Sequence, residues 1–118
     1  MAIIINTQSR DFTEVEQYLM TLDRGIKSLK DVEDNTSIAV AGYLTFTDEK
    51  ENGDSVDILS IITPDNEVFT CQSATFKRSF DNITNIMHDK PFSVIKVGGI
   101  TKNGRPYIDC ALDIESVK

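Results

Sequence analysis

From Thr36 to Thr47 the chain alternates, with Ile38, Val40, Leu44 and Phe46 on one side and Ala39, Ala41, Tyr43 and Thr45 on the other. Successive side chains of a strand leave opposite faces, so this pattern predicts one long β-strand. A charged loop, Asp48 to Asp54, contains Asn52-Gly53 and leads into a second apolar run from Val56 to Thr63. Pro64-Asp65-Asn66 supplies turn chemistry before a short strand around Glu67 to Cys71. The period then changes: Phe76, Phe80, Ile83 and Met87 recur at helical spacing, Ser73 can cap the start, and Pro91 stops the run. A helix over 74–89 follows, with Phe76 and Phe80 in the core together with Phe46 from the long strand. Residues 12–32 are ambiguous. Phe12, Val15, Leu19, Leu22, Ile26 and Leu29 have helix-like spacing, with Asp11 and Glu14 placed as a capping pair, whereas Val15, Tyr18 and Thr21 equally suit a strand.

After Phe92 the β signal returns, and Asn103-Gly104 predicts a hairpin with a two-residue turn. That turn fixes the register: Lys102 faces Arg105, Ile100 faces Tyr107, Gly98 faces Asp109, and Lys96 faces Ala111. Lys96, Lys102, Arg105 and Tyr107 then share the exposed face, while Ile95, Val97, Ile108, Cys110 and Leu112 face the core. Three cations around one aromatic ring suit a single-stranded nucleic acid, since cations follow the phosphates and the ring stacks on a base. Solvated decoration is the plainer reading of such a face. Tyr43 and Phe69 are further stacking candidates, although burial is the commoner fate of a Phe; Lys27 and Lys30 are candidates to extend the basic track. Gly98-Gly99 lets another backbone approach closely.

Three strands, a helix and a two-stranded hairpin are the order of an OB-fold: a mainly β, five-stranded barrel with one helix between its third and fourth strands. At 118 residues the chain suits one domain, 1–118. The apolar start Ala2 to Ile5 is too short for a signal-peptide core and no run is long enough for a membrane helix, so an intracellular protein is expected. Cys71 and Cys110 lie in β-like stretches and read as buried thiols of a reducing compartment.

A net charge of −7 argues against a nucleic-acid partner until its distribution is examined. Residues 31–70 carry ten acidic side chains against Lys50 alone, while 71–107 carry Lys77, Arg78, Lys90, Lys96, Lys102 and Arg105 against Asp81 and Asp89.

Ser28-Leu29-Lys30-Asp31-Val32, Ser37-Ile38-Ala39-Val40-Ala41-Gly42-Tyr43, Thr75-Phe76-Lys77-Arg78-Ser79-Phe80 and Thr101-Lys102-Asn103-Gly104-Arg105-Pro106-Tyr107 resemble the small single-stranded DNA-binding proteins of tailed phages, particularly the lactococcal siphophage type. The resemblance covers roughly residues 15–114 and lies in pattern, not in a signature motif. It implies an OB-fold, sequence-independent binding of single-stranded DNA during phage DNA replication and recombination in the host cytoplasm, and a homodimer. It favours an extended segment for 12–32 and makes the basic hairpin residues and Tyr43 the preferred DNA contacts. Bacterial relatives in function end in a flexible acidic tail; here the last residues are Asp113-Ile114-Glu115-Ser116-Val117-Lys118, so phage or host recombination proteins are expected to dock elsewhere.

His88 is the sole histidine and no phosphate-cradling glycine loop occurs, so an enzyme, a cofactor and a metal centre are not expected. The acidic Asp48–Asp57 stretch lacks the ligand spacing of a calcium loop. Two other classes remain open: an acidic protein-interaction module regulating a host or phage enzyme, and an RNA-binding barrel, which shares the stacking physics.

Overall fold

The computed structural model describes residues 2–88 and 90–117. Among them are eight strands and two α-helices: β1 (Ala2–Gln8), α1 (Glu14–Thr21), β2 (Lys27–Ser28), β3 (Ser37–Val40), β4 (Gly42–Glu49), β5 (Ser55–Ile62), β6 (Val68–Cys71), α2 (Ala74–Met87), β7 (Phe92–Ile100) and β8 (Pro106–Leu112). The protein is mainly β. Its strands form a five-stranded sheet in the order β1-β4-β5-β6-β2 and a three-stranded sheet in the order β3-β7-β8. The expected strand over 36–47 is divided at Ala41 between the two sheets. Among the described residues no ladder joins β6 to β8, so two sheets stand where one closed five-stranded barrel was expected.

The large sheet is covered on both faces because β5 is apolar on both. Leu59 and Ile61 join Ile38, Phe69, Phe76, Phe80, Val94 and Cys110 between the sheets, under α2. Ile62 and the partly buried Ile58 turn the other way, with Leu44, Phe46, Phe12 and Met20. Ser60, on that second face, donates its hydroxyl to the Met20 carbonyl at 2.7 Å and so ties α1 to β5.

Helix α1 corrects the extended reading of 12–32. Thr13 Oγ1 accepts from the Glu16 amide at 3.1 Å, and Glu16 Oε1 accepts from the Thr13 amide at 3.0 Å. This capping box uses Thr13 and Glu16, not Asp11 and Glu14, and each cap satisfies a backbone donor that a helix start leaves free. Only Lys27–Ser28 of the segment is a strand, β2, and a 3-10 turn over Leu29–Asp31 follows it. Helix α2 begins as predicted, with Ser73 Oγ accepting from the Phe76 amide at 3.2 Å.

The hairpin departs from its predicted register. Observed pairs are Ile100 with Pro106, Gly99 with Tyr107, Gly98 with Ile108, Val97 with Asp109 and Lys96 with Cys110. The Thr101 amide donates to the Arg105 carbonyl at 2.8 Å and the Gly104 amide to the Thr101 carbonyl at 2.9 Å. Lys102-Asn103-Gly104 therefore makes a three-residue loop. Gly104 takes φ 80°, whereas Asn103 is not among the described residues with positive φ, which excludes the two-residue turn that needs it at both positions. One added loop residue turns every side chain of β7 over relative to β8.

Candidate functional site

A cleft of about 1000 Å³ opens where the tip of the β7–β8 hairpin meets the segment after β2 and the end of β6. Ile58, Thr70, Cys71 and Ile108 contribute to its walls, as does Lys30. Ile100, 74% exposed, Pro106 and Tyr107 stand at its lip on the hairpin. Tyr107 keeps 42% of its surface exposed while its ring lies over Gly99, its cross-strand partner, where any Cβ would collide with it. The ring is thus held by backbone packing, which reduces the ordering cost of stacking a ligand on it. Lys102 and Arg105 are exposed on the adjoining loop.

Of the hairpin residues expected to act together, Lys102, Arg105 and Tyr107 do share the exposed tip. Lys96 does not. The register shift turns it inward, 5% exposed, with Nζ donating at 2.7 Å to both the Val32 carbonyl and Asp34 Oδ1. Ile95 and Val97 correspondingly leave the core face for half-buried positions, and Phe92 and Val94 take the core. The glycine pair admits side chains, not a foreign backbone: the Asp34 carboxylate occupies the space beside Gly98 as the Tyr107 ring does beside Gly99.

Tyr43 is also corrected. It packs against the core cluster, its ring edge-on to Phe80 with centroids 5.0 Å apart, because it faces the same side as its β5 partner Ile61. Phe69, 7% exposed, is core. Lys27 Nζ lies 5.6 Å from the Phe69 centroid and 3.5 Å from Glu67 Oε2, so its charge is shared with a surface carboxylate. Lys30 is exposed on the cleft wall. Sequence reasoning missed Ile100 and Asp34. An apolar residue flanking a polar hairpin loop was the available signal for Ile100; Asp34 becomes visible only through the true register of Lys96.

Burial pushes the Cys71 thiol up to about 11 and the Cys110 thiol up to about 12. Neither is a nucleophile at neutral pH. Among the described residues no group of three or more potential metal ligands occurs, and no helix is long and apolar enough to cross a membrane.

No family model matches the chain, and neither a curated protein nor a solved structure matches it. Function therefore rests on the chemistry of the site.

Proposed function

We propose that this protein binds single-stranded DNA without sequence preference and without catalysis, holding bases in the hairpin cleft. The observation that carries the proposal is the fixed, half-exposed Tyr107 ring at the lip of an open cleft, with Lys30 on the cleft wall and Lys102 and Arg105 exposed on the adjoining loop. Stacking on such a ring contributes about 1–3 kcal/mol per base for any base, and the cations exchange condensed counterions for phosphates. The cleft walls also carry Asp31 and Asp34. Phosphates are accordingly assigned to the outer loop and Lys30, and bases to the interior.

The element order supports an OB-fold reading. A strand line passes through Ala41 from one sheet to the other, followed by β5, β6, α2, β7 and β8, with the ligand against the β7–β8 loop as in other single-strand binders of that fold. Phage DNA replication and recombination in the host cytoplasm is the setting suggested by the resemblance. A homodimer fits the outer edge of β1, the end strand of its sheet, where Ile3, Ile4 and Ile5 lie together.

Fluorescence anisotropy with a labelled oligothymidine tests the proposal. The oligomer is expected to bind far better than a duplex of equal length, with affinity falling steeply as salt rises, and Tyr107→Ala is expected to weaken it about 5- to 150-fold. Equal binding of duplex, or a Tyr107→Ala chain of unchanged affinity, refutes it. A matched oligoribonucleotide separates DNA from RNA preference.

One observation favours a second reading, an acidic protein-interaction module. Val15, Tyr18 and Leu22 form an exposed apolar stripe on and just beyond α1, flanked by Glu14 and Asp23. This reading predicts no oligomer retention at moderate salt.

A further inference from the structure

A second pocket, of about 360 Å³, opens at the opposite end of β7 from the cleft. Phe92 lines the pocket and Gly98 the cleft; Gly98 is the sixth residue on from Phe92 along the strand, or about 20 Å at the rise of a β-strand. Three basic residues, Arg10, His88 and Lys90, line it, and its described lining residues include no carboxylate.

We infer that this pocket binds a phosphate group. Arg10 is fixed in advance: its terminal nitrogens donate to Glu16 at 2.9 and 3.4 Å, and the guanidinium lies 4.4 Å from the Phe12 ring centroid. Its Nε edge lies against Gly42, where a side chain's first carbon would meet it at 3.3 Å. Ser9 Oγ accepts from the Tyr43 amide at 2.9 Å, which leaves the hydroxyl proton to donate. His88 sits one residue past α2 with φ 54°, and exposed Lys90 follows two residues later. Glu16 offsets the charge of Arg10 but occupies only its terminal nitrogens. Several donors converging on one small space suit an oxygen-rich anion.

The source of that phosphate is a phosphodiester of the same strand whose bases occupy the cleft; this step rests on the proposed function. Strand binding would then extend around the molecule from the hairpin tip to the junction of β3 and β4.

Two measurements on the full chain test the inference. In the first, inorganic phosphate is titrated at constant ionic strength against chloride, followed by amide NMR. Saturable shifts at Ser9, Gly42 and Lys90 are expected with phosphate alone, and they should weaken in Lys90→Gln, which changes an exposed side chain, and in Arg10→Gln. Absent shifts, equal shifts with chloride, or shifts undiminished in both variants overturn the site. In the second, the salt dependence of oligothymidine binding is compared for a long oligomer and one too short to span 20 Å. Lys90→Gln is expected to lower the log–log slope of the long oligomer by about 0.7, the value for one phosphate contact to a single strand, and to spare the short one. An unchanged slope overturns the strand as the source. If the wild-type chain binds no oligomer, the cleft reading fails and the phosphate titration still decides the pocket.

Discussion

Replacing Asp34 by Ala isolates the contact that distinguishes the observed hairpin register from the predicted one. Lys96 is buried, and its ammonium has two acceptors 2.7 Å away, the Val32 carbonyl and Asp34 Oδ1. Stripping one partner from a fully buried ion pair costs about 3–5 kcal/mol, and a hydrogen bond to a charged group is worth about 1.5–3 kcal/mol. The Asp34 side chain is 57% exposed, so water screens the pair and the lower range applies. The expected loss is about 2 kcal/mol, or about 8 °C in Tm for a domain of this size. Urea unfolding should show a lower midpoint with an unchanged m-value. Lys96→Met removes the charge but keeps the aliphatic volume and leaves Asp34 free to hydrate, so its cost is expected to stay within about 1 kcal/mol. The double variant should be no worse than Asp34→Ala. A neutral Asp34→Ala alongside a strongly destabilising Lys96→Met would refute the pairing. Because Lys96 commits its donors inside the fold, Lys96→Met should also retain oligothymidine binding; a tenfold loss at unchanged stability would return this lysine to the contact surface.

Gly42→Ala places a methyl 2.8 Å from the buried Phe12 ring, so a loss of about 1–3 kcal/mol is expected, and an unchanged melting curve would contradict this packing. With thiols pushed up to about 11 and 12, Cys71 and Cys110 should resist a thiol reagent at pH 8 in the folded chain and both react once urea unfolds it; rapid labelling of the folded chain would contradict their burial. The side-chain bond from Arg10, then the Thr13 amide, hold Glu16 at about 2, below its ordinary 4.5. A lowered folded value means that its contribution is present above pH 4.5 and is lost as pH falls toward 2. Carbon-detected NMR should therefore place the Glu16 midpoint near 2 and raise it in Arg10→Gln; an ordinary midpoint in the wild type would rule out the Arg10 fork.

The elements that the sequence predicted correctly carry their signal within a few residues. Strands β5 and β6 and helix α2 are bounded by turn residues and a cap, and the Ser73 bond to Phe76 forms as read. The helix-like spacing at the amino terminus overlaps the helix only in part: α1 spans Glu14–Thr21, Ile26 and Leu29 lie beyond it, and Val15 and Leu22 are exposed. The capping box of α1 was ambiguous because Asp11 and Thr13 each have a glutamate three residues on. The failure at the hairpin has another cause. Asn-Gly serves a two-residue turn with both residues at positive φ, and equally a three-residue loop in which the glycine alone is left-handed. Strand β7 cannot arbitrate by pattern, since Phe92 and Val94 on one face and Ile95 and Val97 on the other are all apolar; Ser93 is the single polar marker before Lys96.

What decides the register is tertiary. Two carboxylate-bearing loop residues upstream, Asp31 and Asp34, lie at the cleft, and Asp34 gives an inward Lys96 its counter-ion. A lysine facing inward without that partner would lose the same roughly 2 kcal/mol, so the loop from Val32 to Asp34 and the hairpin turn have to agree. The same register lays Tyr107 across Gly99, with Ile100 at the cleft lip. The acidic first half of the chain, which argued against a nucleic-acid partner by total charge, thus supplies the carboxylate that holds the hairpin in the register where its aromatic ring is presented.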